Sequence, residues 1–371
     1  MSNAFGVVSF GGNNVNVEGL QAYRAVGAIS FLGRYRLIDF PLSNMTNSGI
    51  DSIQLFVNKD PRSIVSHVGT GRHYDINSKR GEFNVLFSDE FSTSIYNHDI
   101  AAFNANRAEI EDMPQKYVVV ATNYMVYSLD YNDVIDAHMA TGADITMVYK
   151  TVDNAKNAFI GCDTFVLNKQ KGVQSIEKNR GNFKTRNISL EAYVMSKEMF
   201  LGLIDQAVNT SSLYTMSDML NDACTFLDVR GFEYKGYLAA INTFENYYKA
   251  NMELLNDAAA RNELFKKDWP IYTKTNDSCP TRYSANGSAV GSFVSNGCTI
   301  HGTVENCIIG RGVVIGEGSV VKNCIICPET VIGDGVTMEY VVSDKHVSIT
   351  NVKEVCGTAD NVAYIKRNDK I

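Results

Sequence analysis

The chain has 371 residues, 45% of them apolar and 20% charged, and a formal net charge of −7. That length holds two or three domains with real cores, and the acidic balance argues against a nucleic-acid binder, which needs a basic face. No run of 18 or more apolar residues and no basic-then-apolar N-terminal stretch occurs, so no membrane association and a cytoplasmic location are expected; eight scattered cysteines fit a reducing compartment.

Residues 5 to about 240 alternate short β-branched runs with helical patterns, the signature of a mostly parallel sheet covered by helices. Strands are predicted at residues 5–9, 52–57, 117–121 and 144–149. The first leads into Gly11 and Gly12, as a nucleotide-binding turn would, yet residues 13–23 contain no Lys or Arg to hold phosphates. A helix is predicted over 132–141, with Asn132 as N-cap and Gly142 as its stop. Another should start at Ser196, burying Met199, Phe200, Leu203 and Ile204 as one stripe. Residues 243–265 read as one or two closing helices, and 266–286 as an extended linker with two prolines at its start and middle.

From residue 287 an aliphatic residue followed by a small one recurs at a spacing of six, as at Val294 and Ile300, Ile309 and Ile315, then Ile326 and Ile332 after a slip in register. Hexapeptide repeats predict a parallel β-helix, with aliphatic side chains stacked inside a three-faced prism. Cys324 and Cys327 form a lone CxxC, read as apolar filler rather than half of a zinc site. An acyltransferase use of the prism would need a catalytic histidine; His301 and His346 are its candidates, and both also read as surface residues.

The pairing of "GRYRLIDFPLSNMTNSGI", residues 33–50, with a hexapeptide domain resembles the bacterial ADP-glucose pyrophosphorylases, or glucose-1-phosphate adenylyltransferases. Residues 127–147 and 242–255 extend the likeness over nearly the whole chain. The resemblance implies a nucleotidyltransferase (Rossmann-like) α/β domain at 1–265, a linker at 266–286, and a left-handed β-helix with a C-terminal tail at 287–371. In that family the phosphate of glucose 1-phosphate attacks the α-phosphate of ATP. Catalysis there is mostly cations and positioning: a GGxGxRL loop, a lysine in RAKPAV, and two aspartates that hold magnesium.

Here the loop's third glycine is Asn14 and its arginine Asn16, the lysine is Val26, and the two aspartates are Tyr124 and Ala240. Five phosphate-facing or charge-bearing positions are lost together, so no catalytic or metal-binding residue and no cofactor is expected, where active relatives use magnesium. The chain looks most like the family's D-type subunits, which modulate a catalytic paralogue in a mixed tetramer. The alternative is an active adenylyltransferase whose metal is held by Asp130 or Asp133, residues that equally serve as helix-start charges.

By the same resemblance, Tyr96, Glu177, Lys178 and Ser189 stand where relatives contact the sugar phosphate, although Glu177 and Lys178 also read as strand-end surface residues. Arg24 and Arg36 match arginines that in relatives meet anionic effectors, a role suited to the bidentate guanidinium. A buried pair of Arg36 with Asp39 is the other reading. A catalytic subunit, and a sugar phosphate or an anionic effector, are therefore the expected partners.

Overall fold

The structure, a computed structural model, describes residues 3–10, 15–58, 60–77, 79, 81–88 and 98–371. Nine strands form the sheet of the N-terminal domain among these residues: β1 (Ala4–Ser9), β2 (Ile53–Val57), β3 (Phe83–Phe87), β4 (Tyr117–Thr122), β5 (Ile145–Val152), β6 (Asp163–Leu167), β7 (Val173–Lys178), β8 (Arg186–Ser196) and β9 (Val229–Glu233). β1 and β2 are buried at every residue, as strands covered by helices on both faces must be. The order is β7-β6-β8-β4-β1-β2-β3, with β5 beside β8 and β9 beyond β5. β4, β1, β2 and β3 are mutually parallel, while β8 runs antiparallel to β4, β5 and β6.

All four strands predicted from the sequence are present. The helix Tyr131–Thr141 begins one residue earlier than predicted, and its cap is Asp130, not Asn132. Asp130 Oδ1 accepts the Asn132 backbone N–H at 2.9 Å, whereas the Asn132 amide is occupied as a donor to Asp130 and to the Ser48 carbonyl. Gly142, at φ +64°, stops this helix. Ser196 caps Lys197–Thr210 through Met199 N–H at 3.0 Å, and Phe200, Leu203, Ile204 and Ala207 face the core. The closing segment is two helices, Phe244–Asn256 and Ala258–Leu264.

Residues 266–281 contain no helix or strand, yet they are pinned to the domain: Trp269 Nε1 donates to Asn44 Oδ1 (2.9 Å) and Lys274 Nζ to the Ser66 carbonyl (2.7 Å). The first prism strand, Arg282–Tyr283, falls inside the stretch read as linker. From there three parallel five-stranded sheets close a left-handed β-helix. Ile300, Ile315, Ile332 and Ile349 stack on one face, and Val294, Ile309 and Ile326 on another. The register slip has a local cause. At one corner of each coil the chain turns through a single left-handed residue, Asn306, Asn323 or Tyr340, at φ +51° to +52°, and Ile326 follows the inward Val321 by five positions (326 − 321) instead of six. Asparagine tolerates this conformation, and Asn306 Nδ2 also donates to Asn323 Oδ1 of the next coil at 2.6 Å.

Cys324 and Cys327 are buried free thiols beside the stacked isoleucines. His346 is half-exposed with Nδ1 2.8 Å from Glu329 Oε2, at a coil corner. The two domains meet through buried polar contacts as well as apolar ones. Tyr248 Oη donates to the Asn323 carbonyl at 2.7 Å, and Ser295 Oγ to the Gly33 carbonyl at 3.1 Å. Gly33 is required there: it has φ +70°, and a Cβ would lie 3.1 Å from the Ile309 carbonyl oxygen.

Candidate active site

β1 and β4 end side by side, Ser9 paired with Thr122, at the carboxyl edge where open α/β sheets form their ligand crevice. Gly11, Gly12 and Asn14, which follow β1 in the sequence, lie outside the described residues. Asn16 is exposed, with its backbone N–H donating to the Asn242 carbonyl at 3.0 Å. Val26, at the lysine position, is buried in the 3-10 turn Val26–Ala28.

A short antiparallel ribbon of Met125–Tyr127 with Leu238–Ala240 brings together the two positions that would hold a metal. Ala240 pairs with Met125, and Ile241 N–H donates to the Tyr124 carbonyl at 2.9 Å. The ribbon thus sets Tyr124 and Ala240 side by side, the two positions at which the resemblance implies metal-holding aspartates. Magnesium needs oxygen ligands, chiefly carboxylates. Ala240 offers none, and the buried Tyr124 phenol donates its proton to Glu191 Oε1. Burial, reinforced by the Glu191 charge, pushes the Tyr124 phenol well above its ordinary range, so it stays neutral. These residues do not fit the metal. Among the described residues, no group of three His, Cys, Asp or Glu could hold one. Asp130 is spent capping its helix.

Tyr124 fronts a cavity of about 360 Å³, whose lining includes Ser9, Asp99, Phe103, Thr122, Asp163, Lys178, Glu191, Tyr193, Ser217 and Asp218. Of the three expected sugar-phosphate residues that are described, only Lys178 reaches it. Glu177 alternates to the other face of β7, half-exposed and 3.1 Å from Arg186 Nη1. Ser189 is fully buried, its Oγ accepting the Glu191 N–H at 3.0 Å. Tyr96 lies outside the described residues. Even Lys178 is engaged, its Nζ 2.5 Å from Asp163 Oδ1.

Glu191, Asp163 and Asp99 escaped the sequence reading. Glu191 could have been found by its spacing: it lies two residues beyond Ser189, on the same strand face. There β8 is irregular against β5 and Glu191 has φ +48°, a bulge that turns its carboxyl into the cavity. Burial, with the neighbouring Asp163 carboxylate, pushes the Glu191 carboxyl up to about 8. The fold therefore holds the protonated form while the unfolded chain ionises, and stability falls as pH climbs from the ordinary carboxyl range toward that value. Glu191→Gln keeps an acceptor for Tyr124 and removes the titration. Between about pH 5 and about pH 8.5 the native protein is expected to lose up to a few kcal/mol more stability than the variant, measured by urea unfolding. Identical pH dependence in the two proteins would refute this assignment.

A second, cationic cavity of about 230 Å³ opens between the domains, lined by Arg34, Arg36, His67, Lys274, Arg311, Glu329, Lys345 and His346 among others. Arg36 belongs to it, with Nη1 donating to the Ser63 carbonyl at 2.5 Å. The reading of Arg36 paired with Asp39 holds only for its backbone: Asp39 accepts the Arg36 N–H at 2.8 Å. Its other oxygen lies 2.6 Å from both His67 Nε2 and Tyr74 Oη. Burial, then the positive charges of Arg36 and Arg24, lower Lys345 to about 8. Arg24 is not free in this cavity. Its Nη2 makes a two-pronged contact with Asp344 of the β-helix, at 2.7 and 2.8 Å, and both side chains are buried.

Comparison with known proteins agrees with this architecture. Residues 3–257 match the Nucleotidyl transferase family, and residues 278–362 the GlmU-like C-terminal hexapeptide family. The chain is 33% identical over 358 residues to the glycogen biosynthesis protein GlgD of Bacillus subtilis (strain 168), covering 95% of this chain and 92% of that protein. It belongs to the nucleotidyltransferase family of GlgD and the glucose-1-phosphate adenylyltransferases. GlgD of Geobacillus stearothermophilus is 34% identical over 82% of this chain and 79% of its own length. The glucose-1-phosphate adenylyltransferase of Thermosipho africanus (strain TCF52B) is 29% identical over 86% and 78% respectively. The ribbon of Met125–Tyr127 with Leu238–Ala240 places a buried phenol, Tyr124, beside the methyl group of Ala240. Among the described residues no helix is long and apolar enough to cross a membrane.

Proposed function

We propose that this chain is a regulatory, catalytically impaired subunit of an ADP-glucose pyrophosphorylase in glycogen biosynthesis. It modulates a catalytic paralogue that makes ADP-glucose and pyrophosphate from ATP and glucose 1-phosphate, within a mixed tetramer. The observation that carries this reading is the ribbon: Tyr124 and Ala240 are neighbours where two carboxylates would have to converge on a cation. The residue that replaces one carboxylate is locked by its own hydrogen bond, so the cation position is repacked.

The interdomain cavity supports the regulatory half of the proposal. Arg34, Arg36, Lys274, Arg311 and Lys345 converge there against one acidic residue, Glu329, which lies beside His346. Such a cluster suits a small anion, and its place between the domains lets binding bias how they sit together. The test is to purify the chain with its catalytic paralogue and to follow pyrophosphate release with and without it, over a series of anionic effectors. A changed rate or effector response of a few-fold or more is expected, in line with typical coupling energies. A partner whose rate and effector response are the same with and without this chain would overturn the reading.

A further inference from the structure

The cleft fronted by Tyr124 has kept its hydrogen-bonding capacity while its charges are consumed internally. Lys178 Nζ lies 2.5 Å from Asp163 Oδ1, and Asp163 Oδ2 accepts from Ser217 Oγ at 2.7 Å. Asp99 Oδ1 accepts the N–H groups of Ile100 (2.8 Å) and Met216 (3.1 Å), at the starts of two helices. Asp218 Oδ2 accepts from Thr215 N–H (3.0 Å) and Thr215 Oγ1 (2.6 Å) in a capping box. Glu191 is held protonated and receives the Tyr124 hydroxyl. Among the described lining residues, then, no cation remains to grip a phosphate, and each carboxylate already has partners of its own.

Two hydroxyls of the described lining residues are left over. Ser9 Oγ and Thr122 Oγ1 lie on paired residues at the ends of β1 and β4. They line the cleft, are 3% and 4% exposed as residues, and have no hydrogen-bond partner among the described residues. Leaving a buried hydroxyl unpaired costs about 1–3 kcal/mol, so a pair of them on residues that line a cavity marks a place that a ligand completes. Both can donate and accept, which matches the hydroxyls of a polyol better than an anion. The cavity volume, about 360 Å³, is at the small end of ligand sites and fits a single ring better than a nucleotide.

We propose that this cleft binds an uncharged, polyhydroxylated ligand of monosaccharide size and discriminates against its phosphate ester. A phosphate entering here would have to pull Lys178 from Asp163 and then sit among Asp99, Asp163 and Asp218. A neutral sugar meets the same carboxylates as extra acceptors and needs no counter-charge. This reverses the expectation drawn from Glu177 and Lys178, and it concerns this chain alone, whatever its partner.

The test uses the full chain and ligand-observed NMR with D-glucose, D-galactose and D-mannose, each competed with its own 1-phosphate. At least one hexose is expected to bind saturably, about 10-fold or more tighter than its phosphate at the same site. Thr122→Val and Ser9→Ala should each weaken hexose binding about 5-fold or more while leaving thermal stability equal or raised, because each removes an unpaired buried hydroxyl. Asp163→Asn should narrow the gap between hexose and phosphate ester by releasing Lys178. The proposal is overturned if none of the three hexoses binds, if a phosphate ester displaces its hexose with equal or better affinity, or if both hydroxyl variants bind the hexose normally.

Discussion

Replacing Asp344 with alanine is expected to destabilise the chain by about 3–5 kcal/mol, the usual consequence of stranding one member of a buried ion pair. Arg24 and Asp344 are 320 positions apart in sequence and join the N-terminal domain to the β-helix. Asp344 is fully buried and also takes the Tyr364 hydroxyl at 3.1 Å and the Lys345 N–H at 2.7 Å. Without it, the Arg24 guanidinium is left in an interior already crowded by Arg36 and Lys345. Arg24 Nη1 has no hydrogen-bond partner among the described residues, so the pair is not fully compensated even when intact. An apolar replacement of both members, Arg24→Met with Asp344→Leu, should therefore recover most of the loss. Urea unfolding of the single and double variants measures both quantities. A single variant within about 1 kcal/mol of the native protein would show that the junction does not depend on this pair.

Assayed alone, the chain is expected to make ADP-glucose at least about 10,000-fold more slowly than an active adenylyltransferase of its family. One preorganised charged group is worth about 100 to 1,000-fold in such chemistry, and losses within one site are not additive. Two carboxylates and two cations are missing together, at Tyr124, Ala240, Asn16 and Val26. Tyr124→Asp alone should give no recovery. It would place a third carboxyl beside Glu191 and Asp163 with Ala240 still unable to share a metal. Pyrophosphate release at saturating substrates decides the matter, and turnover within about 100-fold of an active relative would contradict the argument.

The repeat domain was readable because its information is local. Each aliphatic position of the prism repeats within a few residues, and even the slip at Asn306, Asn323 and Tyr340 is a corner of one residue with its own conformational preference. The cap at Ser196 was readable for the same reason, a short side chain bonding three residues ahead. The error at Asn132 lay in choosing between two neighbouring cap-formers, which only the competing bonds of Asn132 to Asp130 and Ser48 resolve.

The uncharged residues Asn16, Val26, Tyr124 and Ala240 are plain in the sequence, and the family resemblance alone makes them positions of expected lost charge. What fills the gap is not plain there. That Tyr124 would reach Glu191, that Lys178 would be held by Asp163, and that Arg24 would be claimed by Asp344 depend on side chains meeting across the sheet and the domain junction. By itself the sequence determined the architecture and which residue types stand at each position, because periodicity and residue identity are properties of short stretches. Only the tertiary structure decided which remaining charges are spent and which hydroxyls are free. The energy of a buried polar group is set by the partner beside it in space, and here that partner is 15 (178 − 163), 67 or 320 positions away.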